Sequence, residues 1–147
     1  MATTITPANA AITITITGLT ALKVADVSES VTISSNTEGY ADTINVPSLS
    51  EGTLLDAGAL ANGLTLDFDG VFIINKDDTN FVRIRLADTG AHTVDFRLDP
   101  GEFMVFWNRS INVSTTEAAF AAFTDIDTIV AQADTSPVDV QIVAFRI

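Results

Sequence analysis

Between Asn80 and Trp107 the chain reads NFVRIRLADTGAHTVDFRLDPGEFMVFW, strand-like runs broken by Asp88-Thr89-Gly90 and Asp99-Pro100-Gly101. Apolar and polar residues alternate with a period of two, the mark of strands with one buried face. The turn residues between them bring those strands together as antiparallel neighbours. This segment commits the chain to a β fold before any other region is considered.

The pairing registers follow from the turns. Asp69-Gly70 signals a tight turn that sets Phe68 opposite Val71 and Leu66 opposite Ile73. A loop at Lys76–Thr79 then brings Ile73 beside Val82 and Val71 beside Ile84. At the next turn, a two-residue loop would put Ile84 opposite Asp95 and mix the faces. A three-residue loop, Asp88-Thr89-Gly90, sets Ile84 opposite Val94, Val82 opposite Phe96, and Arg83 beside Asp95. The resulting apolar face comprises Leu66, Phe68, Val71, Ile73, Val82, Ile84, Leu86, Val94, Phe96 and Leu98. One sheet cannot bury these side chains alone, so a second sheet is expected from the N- and C-terminal strands.

A proline at the first central position of Asp99-Pro100-Gly101 favours a type I or II turn, which splays its strands and lets the chain pass between sheets. Phe103–Trp107 is apolar on both faces and reads as a strand buried on both sides, with Trp107 in the core. Near the N-terminus, Ile12, Ile14 and Ile16 alternate with Thr13, Thr15 and Thr17. Shorter strand candidates follow at Leu22–Val24, Val31–Ser34 and Thr43–Val46. Ser114-Thr115-Thr116-Glu117 is a capping box that predicts a short helix over Ala118–Phe123. Strands at Ile126–Ala133 and Val138–Phe145 complete the chain. The expected fold is an all-β antiparallel sandwich, jelly-roll-like, with one short helix. Residues 1–10 read as a flexible arm and 11–147 as a single domain, in which 11–47 form sandwich strands or extended, swapped ones.

The chain has 147 residues, room for one domain with a real core. Nineteen acids against seven scattered bases give a net charge of −12, which disfavours nucleic acid and anionic membranes as partners. No cysteine and a single histidine exclude thiolate sites and multi-histidine sites within one chain. No apolar run approaches the roughly 20 residues of a membrane helix. The N-terminus lacks the pattern of a signal peptide, so a cytosolic protein is expected. The sequons at Asn108 and Asn112 therefore read as chance.

Four features invite a chemical reading. Leu86-Ala87-Asp88-Thr89-Gly90-Ala91 resembles the signature of retroviral-type aspartic proteases, where two such aspartates share a proton. That family also needs a later apolar-apolar-Gly element, and no glycine follows Gly101. The acidic pairs Asp67/Asp69, Asp77/Asp78 and Asp125/Asp127 do not continue into a calcium-loop pattern and read as solvated turns. His92 lies on the apolar face by parity and reads as a packed or interfacial side chain. No catalytic residue, cofactor or metal site is expected. The remaining feature is the outer face, where Phe72, Ile74 and Phe81 stand opposite the core beside Arg83 and Arg85. An apolar cluster there marks a partner surface, with self-association its simplest use.

FIINKDDTNFVRIRL, RLDPGEFMVFW and AQADTSPVDVQIVAF together resemble, over roughly residues 60–147, the small β-sandwich structural proteins of tailed-phage virions. Those include capsid decoration or cement proteins and short tail or fibre components. The resemblance implies a homo-oligomer, a trimer on capsid threefold positions, with a terminal arm and the major capsid protein or another virion protein as partner. The expected location is then the virion, after assembly in the host cytoplasm. The alternative is a tail or fibre component, or a receptor- or carbohydrate-binding module.

Overall fold

A computed structural model describes residues 10–16, 27–33, 38–58, 68–90, 92–111 and 123–146. The chain divides into two compact units, residues 38–146 and the segment before them with Ile147. The N-terminal unit holds an antiparallel ribbon of β1 (Ala10–Ile16) and β2 (Val27–Ile33), with Ile12 opposite Val31.

The second unit is a sandwich of two antiparallel sheets. One has the order β3 (Glu38–Val46), β11 (Val138–Arg146), β5 (Gly70–Asn75), β8 (Phe103–Phe106). The other has the order β4 (Gly52–Asp56), β10 (Thr124–Ala133), β6 (Val82–Asp88), β7 (Thr93–Leu98), with short β9 (Ser110–Ile111) paired to β10. Leaving β9 aside, every link from β3 to β11 crosses between the sheets except the β6–β7 hairpin. That is the jelly-roll order. The described residues contain no helix; of the segment expected to form one, Ala118–Phe123, residues 118–122 lie outside them and Phe123 is not helical.

The core lies between the sheets, with Val71, Ile73, Val138, Val140 and Ile142 facing Val82, Ile84, Leu86, Ile129 and Ala131. β6 alternates buried and half-buried positions along its whole length, as its sequence demands. In β4 the alternation breaks. A register shift against β10 leaves Leu54 and Leu55 both buried, the two-against-one geometry of a bulge.

Several expected pairings do not form. Val71 and Ile73 lie between Phe106 and Met104 of β8 and Ala144 and Ile142 of β11. Both edges of β5 are therefore occupied, and neither Phe68 nor Val82 can pair there. The alternation was read correctly as a buried face in β5 and β6, though not in β7, where Phe96 is exposed; β5 and β6 face each other across the core instead of lying side by side. Period two specifies which side chains point inward and is silent on which sheet holds them.

Asn75 makes the crossing between those strands possible. It is fully buried at the end of β5, and its Nδ2 donates to the carbonyls of Asn80 (2.9 Å), Leu98 (3.2 Å) and Asp99 (3.2 Å). Its Oδ1 accepts the Asp77 N–H at 3.0 Å. Backbone groups stranded where the chain leaves one sheet for the other thus find partners. At the Asp99–Glu102 turn the chain does pass between sheets. Glu102 N donates to Asp99 O at 3.0 Å, and Gly101 takes φ +72°, completing a type II turn.

The β6–β7 register is displaced by two residues from the expected one. Ile84 faces Phe96, Val82 faces Leu98, and Asp95 pairs with Arg85 in place of Arg83. A shift of two preserves the faces. Its cause is Asp88, which stays in the strand instead of entering the turn.

Candidate functional site

The two outer faces of the sandwich differ sharply. On the β3-β11-β5-β8 sheet, neighbouring positions form rows across the strands. Val143, Phe72 and Val105 form one; Gln141, Ile74 and Phe103 form the next. A third runs from Phe145 over Gly70 to Trp107, which follows β8. No described residue on these rows is charged.

Phe103 is 58% exposed, Trp107 43% and Val105 37%, so aromatic and branched side chains face solvent together. Their rings are ordered by contact: Phe72 meets Phe103 at a centroid distance of 5.5 Å, and Trp107 meets Phe145 at 5.0 Å. Gly70 makes the second contact possible. A Cβ at this position would overlap the Phe145 ring, so the bare backbone serves as the seat for that ring. An aromatic ring lying across a glycine on the neighbouring strand stabilises a position that would otherwise weaken the sheet.

The outer face of the other sheet is polar. Glu51 Oε1 accepts from Arg83 at 2.6 Å and Arg85 at 2.7 Å, and Arg85 forks onto Asp95 at 2.7 and 2.8 Å. Arg83 also donates to Gln132 Oε1 at 2.8 Å. Arg83 stands directly opposite Arg97, a like-charge pair that is unfavourable by itself. Arg97 is drawn to Asp99 at 2.6 Å and lies over the Phe81 ring at 4.0 Å. The carboxyl of Asp95 sits below its ordinary range, mainly through the hydrogen bonds from Arg85.

The residues singled out in the sequence therefore separate. Phe72 and Ile74 lie on the apolar face; Phe81, Arg83 and Arg85 lie with the ion pairs on the other sheet. The exposed members of the apolar face come from a strand expected to be buried on both sides. β8 is instead an edge strand, and Trp107 is not a core residue. Phe103, Val105 and Trp107 do share one parity, so the sequence carried a signal for the face. Which way that face points depends on β8 lying at an edge, and edge position depends on pairing across the whole sheet.

Asp88 ends β6 with its side chain buried. Its Oδ1 accepts the N–H groups of Gly90 and His92, both at 2.8 Å. Its Oδ2 accepts the Thr124 hydroxyl and faces His92 Nδ1 at 2.9 Å. The Thr124 and His92 hydrogen bonds hold the carboxyl far below the usual carboxylate range. A carboxylate so filled with donors is a weak base, and the Thr124 hydroxyl donates its hydrogen bond to the aspartate and not to the imidazole. The order needed to activate a hydroxyl nucleophile, with histidine in the middle, is absent from this cluster. His92 is also not packed as its parity suggested; its side chain is 57% exposed.

The acidic pairs serve local structure. Asp77 Oδ1 accepts the N–H groups of Asn80 (2.6 Å) and Thr79 (2.8 Å), which lower its pKa in that order, and Asp78 accepts the Thr79 hydroxyl at 2.9 Å. Asp125 pairs with Arg109 at 2.8 Å and accepts from Ser110 Oγ at 3.0 Å. These residues line a cleft of about 270 Å³ with Phe68, Asp69, Asn108 and Arg146 at one end of the sandwich. Asp67 lies outside the described residues. Among the described residues, no cluster of His, Asp and Glu side chains is arranged to hold a metal ion.

Fold and surface together define a jelly-roll domain with one ion-paired face and one face whose three central rows are uncharged and rich in aromatic side chains, with Asp139 of β11 at their margin. Comparison with protein families, curated proteins and solved structures returns no match for this chain.

Proposed function

We propose that this protein is a non-enzymatic assembly subunit that buries the β3-β11-β5-β8 outer face against other copies of itself. In the setting implied by its resemblance to tailed-phage proteins, it acts as a capsid decoration or cement protein that reinforces a head shell. The observation that carries the reading is the exposure of Phe103, Val105 and Trp107 on rows of a sheet face that hold no charge among the described residues. Exposed apolar surface of this kind favours burial in an interface. Copies carrying a net charge of −12 repel one another, and they approach at least cost over rows that hold no carboxylate.

Edge-to-edge strand addition is less favoured, because Asp42 on edge strand β3 already accepts the Thr43 N–H at 2.7 Å. The jelly roll occurs in viral capsid proteins and in lectins alike, so the fold is compatible with both readings and selects neither. The exposed Trp107 and Phe103 rings favour a carbohydrate-binding module as the second reading. Sugar sites, however, combine rings with converging polar groups, and the central row of this face offers Val143, Phe72 and Val105.

The test is solution mass by light scattering over a range of concentrations. An oligomer that falls to a folded monomer on Val105→Asp supports assembly through this face. A monomer at all concentrations that binds glycans in a Trp107-dependent manner overturns it in favour of the second reading.

A further inference from the structure

We infer that the apolar face is occupied by a second copy of this chain, stacked face to face about a two-fold axis with the strands of the two sheets antiparallel. This rests on the proposed self-association and adds its symmetry and orientation.

The symmetry follows from the surface. A flat sheet face meeting the same face of another copy is isologous, and isologous contacts close as two-fold dimers. A trimer would require two different surfaces on each copy. The outer face of the β4-β10-β6-β7 sheet offers none of the same kind, because its arginines are already engaged with Glu51, Asp95 and Asp99, and the exposed Phe96 of β7 has the inward parity of Ile84.

The orientation follows from the ends of the strands. Beyond the Gln141–Ile74–Phe103 row stand Asp77, Asp78, Glu102 and Asp139, with Lys76 beside them. Beyond the Phe145–Gly70–Trp107 row stand Arg109 and Arg146, with Asp69 and Asp125 in the same cleft and Glu38 opposite Arg146. The first end is therefore the more negative. With strands parallel, each end would meet its own kind, acidic turns over acidic turns. With strands antiparallel, each acidic end meets the arginine-bearing end of the partner. Two unequal charges always repel less when crossed than when like is stacked on like. The difference acts within the Debye length of about 8 Å at physiological salt, comparable to the roughly 10 Å between packed sheets. Only the net balance at each end matters, because these side chains also have partners within their own chain.

An axis through the middle row, Val143–Phe72–Val105, places the first row of one copy over the third row of the other. On β3 this brings Gly39 of one copy over Thr43 of the other, and Ala41 over its own counterpart. The chain contains no cysteine, so single-cysteine variants report these positions without interference. All three positions are exposed, and a Cβ at Gly39 meets only Ala144 O at 3.8 Å.

Gly39→Cys and Thr43→Cys chains are mixed and treated with a short thiol–thiol cross-linker, and mass is read in parallel. The expected result is a dimer by mass, with mixed cross-links severalfold more abundant than either homotypic product. Ala41→Cys by itself is expected to cross-link homotypically, which provides a check that needs only one substitution. Homotypic Gly39→Cys products, or no cross-links in a chain that is dimeric by mass, overturn the antiparallel orientation and leave self-association standing. A trimer by mass overturns the two-fold. A monomer at every concentration overturns both this inference and the proposed function.

Discussion

The sandwich has two outer faces made from strands of similar length, and they solve the problem of an outward surface in opposite ways. On the β4-β10-β6-β7 sheet, Arg83 and Arg85 share Glu51, and Asp95 closes the network. On the β3-β11-β5-β8 sheet, the corresponding positions hold Phe72, Ile74, Phe103 and Val105. A solvated face needs its charges matched and hydrated, as the first is. The second leaves aromatic rings in water, which is unfavourable unless something covers them. The difference makes the apolar face, and not the ion-paired one, the candidate interface.

The largest expected effect comes from placing a charge on the apolar face. Phe103→Asp should weaken self-association by roughly 30-fold or more, the size of a hot-spot loss of about 2 kcal/mol, with the folded monomer retained. Analytical ultracentrifugation beside a thermal melt separates the two quantities. Unchanged association would end the functional contrast between the faces.

Gly70→Ala sharpens the comparison from within the sheet. The added methyl displaces the Phe145 ring and its Trp107 contact, so a stability loss of about 1–3 kcal/mol is expected in urea unfolding. Association should weaken with it, since one row of the face is disordered. A neutral result would show that the glycine seat is unnecessary.

The third expectation concerns acid. The Asp88 carboxyl lies far below its ordinary value of 3.8 in the folded chain, so the folded state binds its proton less readily than the unfolded state. That contribution is fully present above the ordinary value and is lost as pH falls below it toward the folded value. Unfolding midpoints measured from pH 7 down to pH 3 should drop at the acid end. Asp88→Asn should flatten that drop while leaving association unchanged. A steep dependence in Asp88→Asn would assign acid sensitivity to other carboxylates, Asp77 and Asp95 foremost.

The smallest effect is expected on the charged face. Arg85→Ala removes exposed ion pairs that salt already screens, so its unfolding midpoint should shift slightly at low salt and scarcely at high salt. Oligomeric mass should not change. A loss of association would reassign the interface to the arginine-bearing face, where the sequence had also placed it.

Much of the architecture was legible along the chain. The alternation in Val82–Leu86 marked the buried positions correctly, the strand at Val138–Phe145 was placed, and Asp99-Pro100-Gly101 marked a passage between sheets. The Asp88 turn was read two residues too short, because a carboxylate that accepts Gly90, His92 and Thr124 cannot be told from a solvated turn aspartate without Thr124 in place. Thr124 lies 36 residues away in the sequence. The interface candidates Phe72 and Phe81 were assigned to one surface because the intervening loop looked like a hairpin. Asn75 instead carries the chain across the core, and its partners include Leu98 and Asp99, again remote in sequence.

By itself, then, the sequence determined what local chemistry controls: that strands form, which side chains point inward, and where turns fall. Those properties depend on backbone period and on residues within a few positions of one another. The tertiary structure decided which sheet each strand joins, that β8 lies at an edge, and that Phe103, Val105 and Trp107 face outward. Edge position is a property of the whole pairing order, and no window of residues contains it. The surface proposed as the interface follows from that order.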